Sequence, residues 1–199
     1  MTPATNHRRS LQLALLAILT VMGLYPAWSH AAAPFPEFID PNPNPGNQFG
    51  QIVGPLSTGK VVITSPYDDA GGTDAGAVYL FSGATGELIS TLKGSQANDN
   101  VGKYGVTALS NGNYVVCSPY WDNAGVANAG AVTWVNGSSE VSGVVASSNS
   151  LIGTQTGDTV GLRDALGCKV TPLSNGNYVV SKGPSRRRDR ASLRESADR

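Results

Sequence analysis

The chain has 199 residues, among them 24 glycines and 12 prolines, and its 14 basic and 14 acidic side chains give a formal net charge of zero. A chain that is 40% hydrophobic but only 14% charged is typical of a turn-rich β protein rather than of one built from long amphipathic helices. Both histidines precede residue 31, so the remaining chain lacks the side chain needed for Ser-His-Asp or Cys-His catalysis and for His-ligated zinc. Most enzyme classes are disfavoured on this ground.

The N-terminal residues have the order of a secretory signal. A basic region at residues 7–9 precedes an apolar run over residues 11–24, which is shorter than the roughly 18 to 20 residues of a bilayer-spanning helix. Small residues around Ala31 supply a cleavage site, so residues 1–31 are predicted to be a signal peptide and the protein to be secreted or held at the cell surface. An uncleaved anchor and a twin-arginine signal are the alternatives.

Residues 32–48 are predicted to be a Pro-rich linker, because five prolines fall between residues 34 and 48 without any apolar period.

The charges of the chain after the signal peptide are unevenly distributed. Residues 34–183 carry six basic and 11 acidic side chains, which argues against nucleic-acid binding by the folded part. Residues 184–199 carry six arginines and three acidic side chains, and a basic disordered tail is predicted there, with binding of an anionic partner as the alternative.

From residue 49 onwards the sequence repeats itself. The segment LSTGKVVITSPY that starts at Leu56 is matched 53 residues later by LSNGNYVVCSPY from Leu109, and 64 residues after that by LSNGNYVVS from Leu173. Repetition at such a period indicates a chain built from similar structural units. The predicted units are a first repeat at 49–105, a second at 106–167 and a truncated third at 168–183.

Each unit is expected to contain four short strands, which in the second unit lie at 106–109, 114–119, 130–135 and 141–147. Between the first two, Asn111-Gly112 predicts a tight hairpin, because this pair tolerates positive φ at both residues. Four strands in roughly 50 to 60 residues is the size of one propeller blade. An all-β fold of repeated four-stranded, blade-like units is therefore predicted, with stacked hairpins or a strand solenoid as the competing architecture.

A family resemblance is carried by Phe49-Gly50, by VVITSPY from Val61 and by GAVYLF from Gly76, which together resemble an FG-GAP repeat, the blade unit of integrin α-chain propellers. The second unit is similar to repeats of bacterial surface proteins of the haemagglutinin or adhesin kind. The resemblance implies an incomplete β-propeller, because closure takes at least about four blades. The carboxylate-rich calcium loops of FG-GAP units are replaced by LSTGK and LSNGN at the hairpins, so those sites are expected to be absent.

Carboxylates cluster instead in the loop after the second strand of the first unit. Asp68, Asp69 and Asp74 offer three hard oxygen ligands within seven positions, which suits a divalent cation such as Ca²⁺. Aspartates also close turns by bonding their own backbone, and the second unit keeps only one of the three acids. Metal binding and turn chemistry are therefore both open, and no other cofactor is predicted.

Aromatic side chains in the corresponding loops are candidates for ligand contact. Tyr67 in the first unit and Tyr120 and Trp121 in the second are predicted to touch a protein or glycan ligand. Trp134 falls within a predicted strand, where packing between blades is the expected role. Cys117 and Cys168 occupy different positions of different units, so a disulfide and a pair of packed thiols are both open.

The functional hypothesis is an exported, non-enzymatic repeat protein that acts as an adhesion or interaction module and needs further repeats to close its fold. A carbohydrate-binding or small-ligand-binding propeller is one alternative, and a fragment of a larger surface protein without independent function is another. A hydrolase would require two of the carboxylates Glu87, Asp122 and Glu140 to meet in one pocket, and nothing in their spacing forces this.

Overall fold

The fold is seen in a computed structural model that describes residues 35–139, 142–164 and 167–180, with no account of the side chains of residues 163 and 164. The described residues form thirteen β-strands and no helix, which confirms the all-β prediction. No helix long and apolar enough to cross a bilayer occurs among these residues. The predicted signal peptide and basic tail lie outside the described residues. The strands are β1 (Val53–Pro55), β2 (Lys60–Ser65), β3 (Ala77–Ser82), β4 (Leu88–Lys93), β5 (Val106–Ala108), β6 (Tyr114–Ser118), β7 (Ala131–Val135), β8 (Gly143–Val144), β9 (Ser150–Ile152), β10 (Leu162–Asp164), β11 (Gly167–Cys168), β12 (Val170–Pro172) and β13 (Tyr178–Val180).

Each of the two predicted repeats forms a four-stranded antiparallel meander. Sheet 1 has the order β1-β2-β3-β4 with β8 added at its edge, and sheet 2 has the order β5-β6-β7-β9. In the third unit, β12 pairs antiparallel with β13 as β1 pairs with β2 and β5 with β6. The short pair β10-β11 lies between them in the chain. The sequence repetition therefore corresponds to a repeated strand pairing.

The fourth strand of the second unit differs from its prediction. Residues 143–144 form β8, which runs parallel to β4 and extends sheet 1, while the strand that completes sheet 2 is β9. Val145, directly after β8, is only 2% exposed in the core between the sheets, and its N–H donates to the Lys93 carbonyl at 3.0 Å. Burial of this one apolar side chain decides which sheet edge the segment joins, and no local pattern carries that information.

Successive sheets bury both of their faces. Side chains alternate along a strand, so in β2 Val62 packs towards sheet 2 whereas Ile63 packs towards the N-terminal segment. In β6, Val116 likewise packs towards sheet 1 and Val115 towards the third unit. This double burial explains why the strands are near-continuous apolar runs rather than alternating ones. The cluster between sheets 1 and 2 consists of Leu56, Val62, Val78, Leu80, Leu92, Val101, Tyr114, Val116, Trp121, Ala131 and Val145.

The segment predicted to be a linker is folded against sheet 1 instead. Phe38 packs edge-to-face on Phe81 with ring centroids 5.5 Å apart, and Phe49 lies 6.1 Å from the same ring. Asn47 is 7% exposed, and its carbonyl accepts a bond from the Ser65 hydroxyl at 3.2 Å. The prolines prevent regular structure here but not packing, because isolated aromatics are enough to cover an apolar sheet face. Residues 36–49 thus form a cap, and the linker prediction is wrong for residues 36–48.

The hairpin turns of the three units stack on one another. The tight hairpin predicted at Asn111-Gly112 joins β5 to β6. Gly112 takes φ 82° and Gly176 φ 83°, whereas Asn111 keeps a negative φ and uses its Oδ1 to accept the Asn113 N–H. A Cβ at Gly112 would collide with the Thr58 side chain, and one at Gly176 with the Asn111 side chain. Glycine is required at these turns both for its φ and for the close approach of the preceding turn.

A disulfide joins Cys117 to Cys168, with their Cα atoms 5.7 Å apart. Cys117 lies in β6 and is fully buried, and Cys168 lies in β11. Of the two states that the sequence left open, the structure shows the disulfide. It links sheet 2 to the strand pair that leads into the third unit.

Candidate interaction surface

The loops that follow β2 and β6 are built alike. The Asp69 carboxylate accepts the Asp74 N–H at 2.9 Å, and in the second unit the Asp122 carboxylate accepts the Asn128 N–H at 2.7 Å. Asp74 and Asn128 both take positive φ, 52° and 49°. In each loop an aspartate therefore closes the turn, and a residue type that tolerates the left-handed region ends it.

Asp68 has a different role, because its side chain is fully buried. Its carboxylate accepts the Tyr79 hydroxyl at 2.6 Å, the Asn42 side-chain amide at 2.8 Å and the Ala70 N–H at 2.8 Å. Burial, together with the bond to Asp68, raises the pKa of Tyr79 well above its usual range. The carboxylate thus ties the cap to sheet 1.

The three carboxylates predicted to share a cation are not brought together. Asp68 points into the buried contact with Tyr79, whereas Asp69 is exposed and bonded to the backbone of its own loop. Over residues 35–139, 142–164 and 167–180, no group of three or more His, Cys, Asp or Glu side chains is placed to hold a metal ion. The geometry corresponds to turn chemistry, the alternative interpretation of these residues.

Tyr67 and Tyr120, the two tyrosines predicted to contact a ligand, are brought together around one cation. The Lys103 ammonium lies 5.0 Å from the centroid of the Tyr67 ring and 5.2 Å from that of Tyr120, within the range of cation–π attraction. Tyr104 packs edge-to-face on Tyr120 at 5.5 Å, and their hydroxyls are 2.8 Å apart. We call Tyr67, Lys103, Tyr104 and Tyr120 the tyrosine–lysine cluster.

The cluster is partly open to solvent, since all four side chains are half-buried. The hydrogen bond with Tyr120 and partial burial raise the pKa of Tyr104 to about 12. Tyr104 is therefore neutral at physiological pH and holds its hydroxyl against that of Tyr120. Lys103 also donates to the Asn100 side-chain oxygen at 3.3 Å, which orients its ammonium between the two rings.

Trp121 was predicted to be a loop contact, and this prediction is wrong. The side chain is 5% exposed and belongs to the core between sheets 1 and 2. Trp121 occupies the position that Asp68 occupies in the first unit, and both point inward, towards the element that precedes their sheet. A loop position in sequence does not determine which way its side chain faces, and the packing of the preceding sheet decides it.

Trp134 was expected to pack between blades, yet it is 42% exposed. It stands opposite Val115 in the register of β6 and β7, so its side chain lies on the face of sheet 2 that points towards the third unit. A groove of about 210 Å³ lies on the other side, between sheets 1 and 2, and its lining includes Thr91, Asn136, Ser142 and Asn149. We call this the amide groove, and its hydroxyl and amide side chains are those of a site for a small polar ligand.

Two segments of the chain match one family, described as a repeat of unknown function, DUF5650; they are residues 55–103 and 108–162. Together they cover just over half of the chain. The chain belongs to the DUF5650 repeat family. No curated protein matches it. The two DUF5650 repeats contain β2 to β4 and β6 to β9, so each match falls on one of the two meanders.

The contact between the two DUF5650 repeats includes a residue that the sequence reasoning did not select. Asp99 is fully buried, accepts the N–H groups of Ser95 and Gln96 at 3.0 Å, and uses its other oxygen to accept the Asp122 N–H of the second repeat, also at 3.0 Å. Burial raises the pKa of this carboxyl group. The sequence signal that could have identified Asp99 is the recurrence of Asp-x-Val-Gly at residues 99–102 and 158–161. Lys103 had no comparable signal, because the second repeat has Leu162 after its glycine.

Proposed function

We propose that this protein is an exported, non-enzymatic interaction module whose tyrosine–lysine cluster contacts a protein ligand on a surface. The observation that carries the proposal is the convergence of Tyr67 and Tyr120, from equivalent loops of two DUF5650 repeats, on Lys103 at 5.0 and 5.2 Å. Partly exposed tyrosines offer a large contact area with a polar tip, and they are enriched at protein interfaces. An excess of acidic side chains over residues 34–183 makes nucleic acid an unfavourable partner for the folded part.

Export is supported by two independent features. The Cys117–Cys168 disulfide is of the kind that persists in oxidising compartments. The N-terminal order of basic region, short apolar run and small residues is that of a secretory signal. A secreted or surface-held protein is the consequence.

The propeller hypothesis is supported by four-stranded antiparallel meanders that stack with apolar cores between them. Such meanders are the blade units of β-propellers. In this proposal the two DUF5650 repeats are FG-GAP-like blades and further repeats complete the fold. Stacked sheets without closure remain the competing architecture.

The test for the protein ligand uses a panel of immobilised extracellular-matrix proteins, fibronectin, collagen and laminin, with the full chain as analyte. We expect binding to at least one of them, weakened at least roughly tenfold by the double change Tyr67→Ala and Tyr120→Ala, since buried aromatic anchors at an interface are worth about 2 kcal/mol or more. Trp134→Ala is the matched control, because it removes an exposed aromatic outside the cluster. Failure of the chain to bind any panel member, or equal binding by the double variant, would count against the proposal.

A carbohydrate ligand is a second candidate, and the amide groove favours it. The side chains of Thr91, Asn136 and Asn149 line the groove and can form hydrogen bonds with the hydroxyls of a sugar ring. This candidate uses a different part of the surface from the tyrosine–lysine cluster. The two are therefore separable by mutation.

For the carbohydrate candidate the measurement is a glycan array probed with the full chain. We expect Thr91→Ala with Asn136→Ala to reduce the bound signal at least roughly tenfold, as loss of two hydrogen bonds worth about 1 kcal/mol each does, while Tyr67→Ala with Tyr120→Ala leaves the signal unchanged. Trp134→Ala should also leave it unchanged, because that side chain lies on the other face of sheet 2. An array without any signal, or one that Thr91→Ala with Asn136→Ala does not alter, excludes the groove as a glycan site.

A further inference from the structure

We infer that the face of the third unit that points away from sheet 2 is a docking surface for one more repeat of the same kind. We call it the forward face; it carries Leu173 and Val179. Its occupant would be a β-meander stacked in the same orientation as sheet 2 on sheet 1. This inference concerns the stacking surface and does not depend on which ligand the tyrosine–lysine cluster binds.

Burial at equivalent positions supplies the first argument. Leu56 and Leu109 are 5% and 3% exposed, because the next unit covers each of them, whereas Leu173 at the same position is 41% exposed. The second strand of each unit shows the same contrast. Val62 and Val115 are fully buried by the next unit, and Val179 is 50% exposed.

The opposite face of the third unit is already used. Val170, Tyr178 and Val180 pack against the cluster of sheet 2 that contains Leu109 and Val115. Alternation along β13 therefore directs Val179 away from this contact. The apolar pattern of β13 is thus that of a strand buried on both faces, although within the described part of the chain only one of its faces is packed against an apolar cluster.

The stacked turns supply the second argument, because they define what kind of partner fits. Thr58 of the first turn packs on Gly112 of the second, and Asn111 of the second packs on Gly176 of the third. The second and third turns are also joined by bonds to backbone carbonyls, from the Ser110 hydroxyl at 3.0 Å and from the Asn111 amide at 3.4 Å. Asn175 stands where Thr58 and Asn111 stand in the earlier turns. The forward face therefore matches a unit whose own turn offers a glycine.

Other occupants match less well. Residues 181–199 contain six arginines and a single large apolar side chain, Leu193, which is a poor complement to an apolar face. A second copy of the chain has its first sheet covered by the cap, through Phe38 and Phe49, and could present only its own forward face. In such a face-to-face pair the Asn175 side chains of the two copies would meet each other, whereas in the stacked units the equivalent side chain packs on a glycine of the next turn.

The test inserts a copy of residues 117–180 between Val180 and Ser181 of the full chain, so that Val180 is followed by the sequence that follows its equivalent Val116 in the second unit. A second version carries alanine at both copied cysteines, which excludes mispaired disulfides. A Gly/Ser insert of equal length at the same place is the matched control. Leu173→Ala is then introduced into the parent chain and into each extended chain, with Leu109→Ala as the reference for a buried leucine.

We expect Leu173→Ala to lower the melting temperature of the repeat-extended chains by roughly 5 to 15 °C, like Leu109→Ala, and to leave that of the parent and of the Gly/Ser chain almost unchanged. An unchanged melting temperature in the repeat-extended chains would overturn the inference. So would loss of folding in both repeat-extended chains when the Gly/Ser chain folds. A large fall in melting temperature on Leu173→Ala in the parent chain would also overturn the inference, because the forward face would then be covered already. In that case a mass in sedimentation that rises with concentration would identify a second copy as the occupant. A monomeric mass would identify residues 181–199.

Discussion

Replacing Asp68 with alanine should lower the free energy of unfolding by about 4 kcal/mol, because hydrogen bonds to a buried carboxylate are each worth about 1.5 to 3 kcal/mol and the Tyr79 hydroxyl stays buried after its acceptor is lost. The change would leave the Tyr79 hydroxyl, now 2.6 Å from the carboxylate, and the Asn42 amide, at 2.8 Å, without their acceptor. Urea unfolding followed by tryptophan fluorescence would measure the loss.

The matched control is Asp69→Ala. Asp69 is exposed and closes only its own loop, through the Asp74 N–H at 2.9 Å, so its loss should cost about 1 kcal/mol, the usual worth of one turn-closing bond. Equal effects of the two substitutions would show that Asp68 does not hold the cap on sheet 1. The same two variants also test the calcium hypothesis. If Asp68 and Asp69 shared a calcium ion, added calcium would raise the free energy of unfolding of the parent chain but not that of either variant.

Reduction of the Cys117–Cys168 disulfide should destabilise the protein by about 4 kcal/mol, the loop-closure entropy for a cross-link of this span. The two cysteines are 51 residues apart. The bond joins sheet 2 to the strands that lead into the third unit, so the loss should appear there first. Limited proteolysis with and without dithiothreitol would show earlier cleavage beyond residue 164 in the reduced protein, and thermal melting would give the size of the effect.

The control for the disulfide is the double variant Cys117→Ala with Cys168→Ala. Its melting temperature should already be low and should not respond to dithiothreitol, because there is no bond left to reduce. A mass two hydrogens above that of the disulfide form in the untreated, non-reduced parent would show that the thiols are free and would contradict the assignment. A parent that melts at the same temperature with and without dithiothreitol would show that the bond does not constrain the fold.

The repeat architecture could be predicted because it depends on local patterns that occur more than once. The turn sequence Ser-Asn-Gly-Asn and the apolar runs on either side of it define a hairpin by themselves, and their recurrence at Leu109 and Leu173 indicated equal units. The DUF5650 matches and the two meanders confirm this repetition. The tyrosines at equivalent loop positions, Tyr67 and Tyr120, could be selected for the same reason.

The direction of a side chain at a non-repeated position could not be predicted in this way. Trp121 and Trp134 exchanged their expected exposures, because the first faces the preceding sheet, whereas the second lies on the face of sheet 2 that the third unit covers only in part. Lys103 entered the site because the end of the first repeat passes between Tyr67 and Tyr120. Both outcomes depend on which elements come to lie side by side.

By itself, then, the sequence determined the all-β class, the period of the repeat and the positions of its hairpin turns, since these follow from backbone propensity and residue alternation within a few positions. Only the tertiary structure decided the pairing of Cys117 with Cys168, the packing of residues 36–49 as a cap and the transfer of β8 to the edge of sheet 1. The physical reason is that these features gain their free energy from contacts between residues far apart in the chain. A local pattern limits such contacts but does not choose among them.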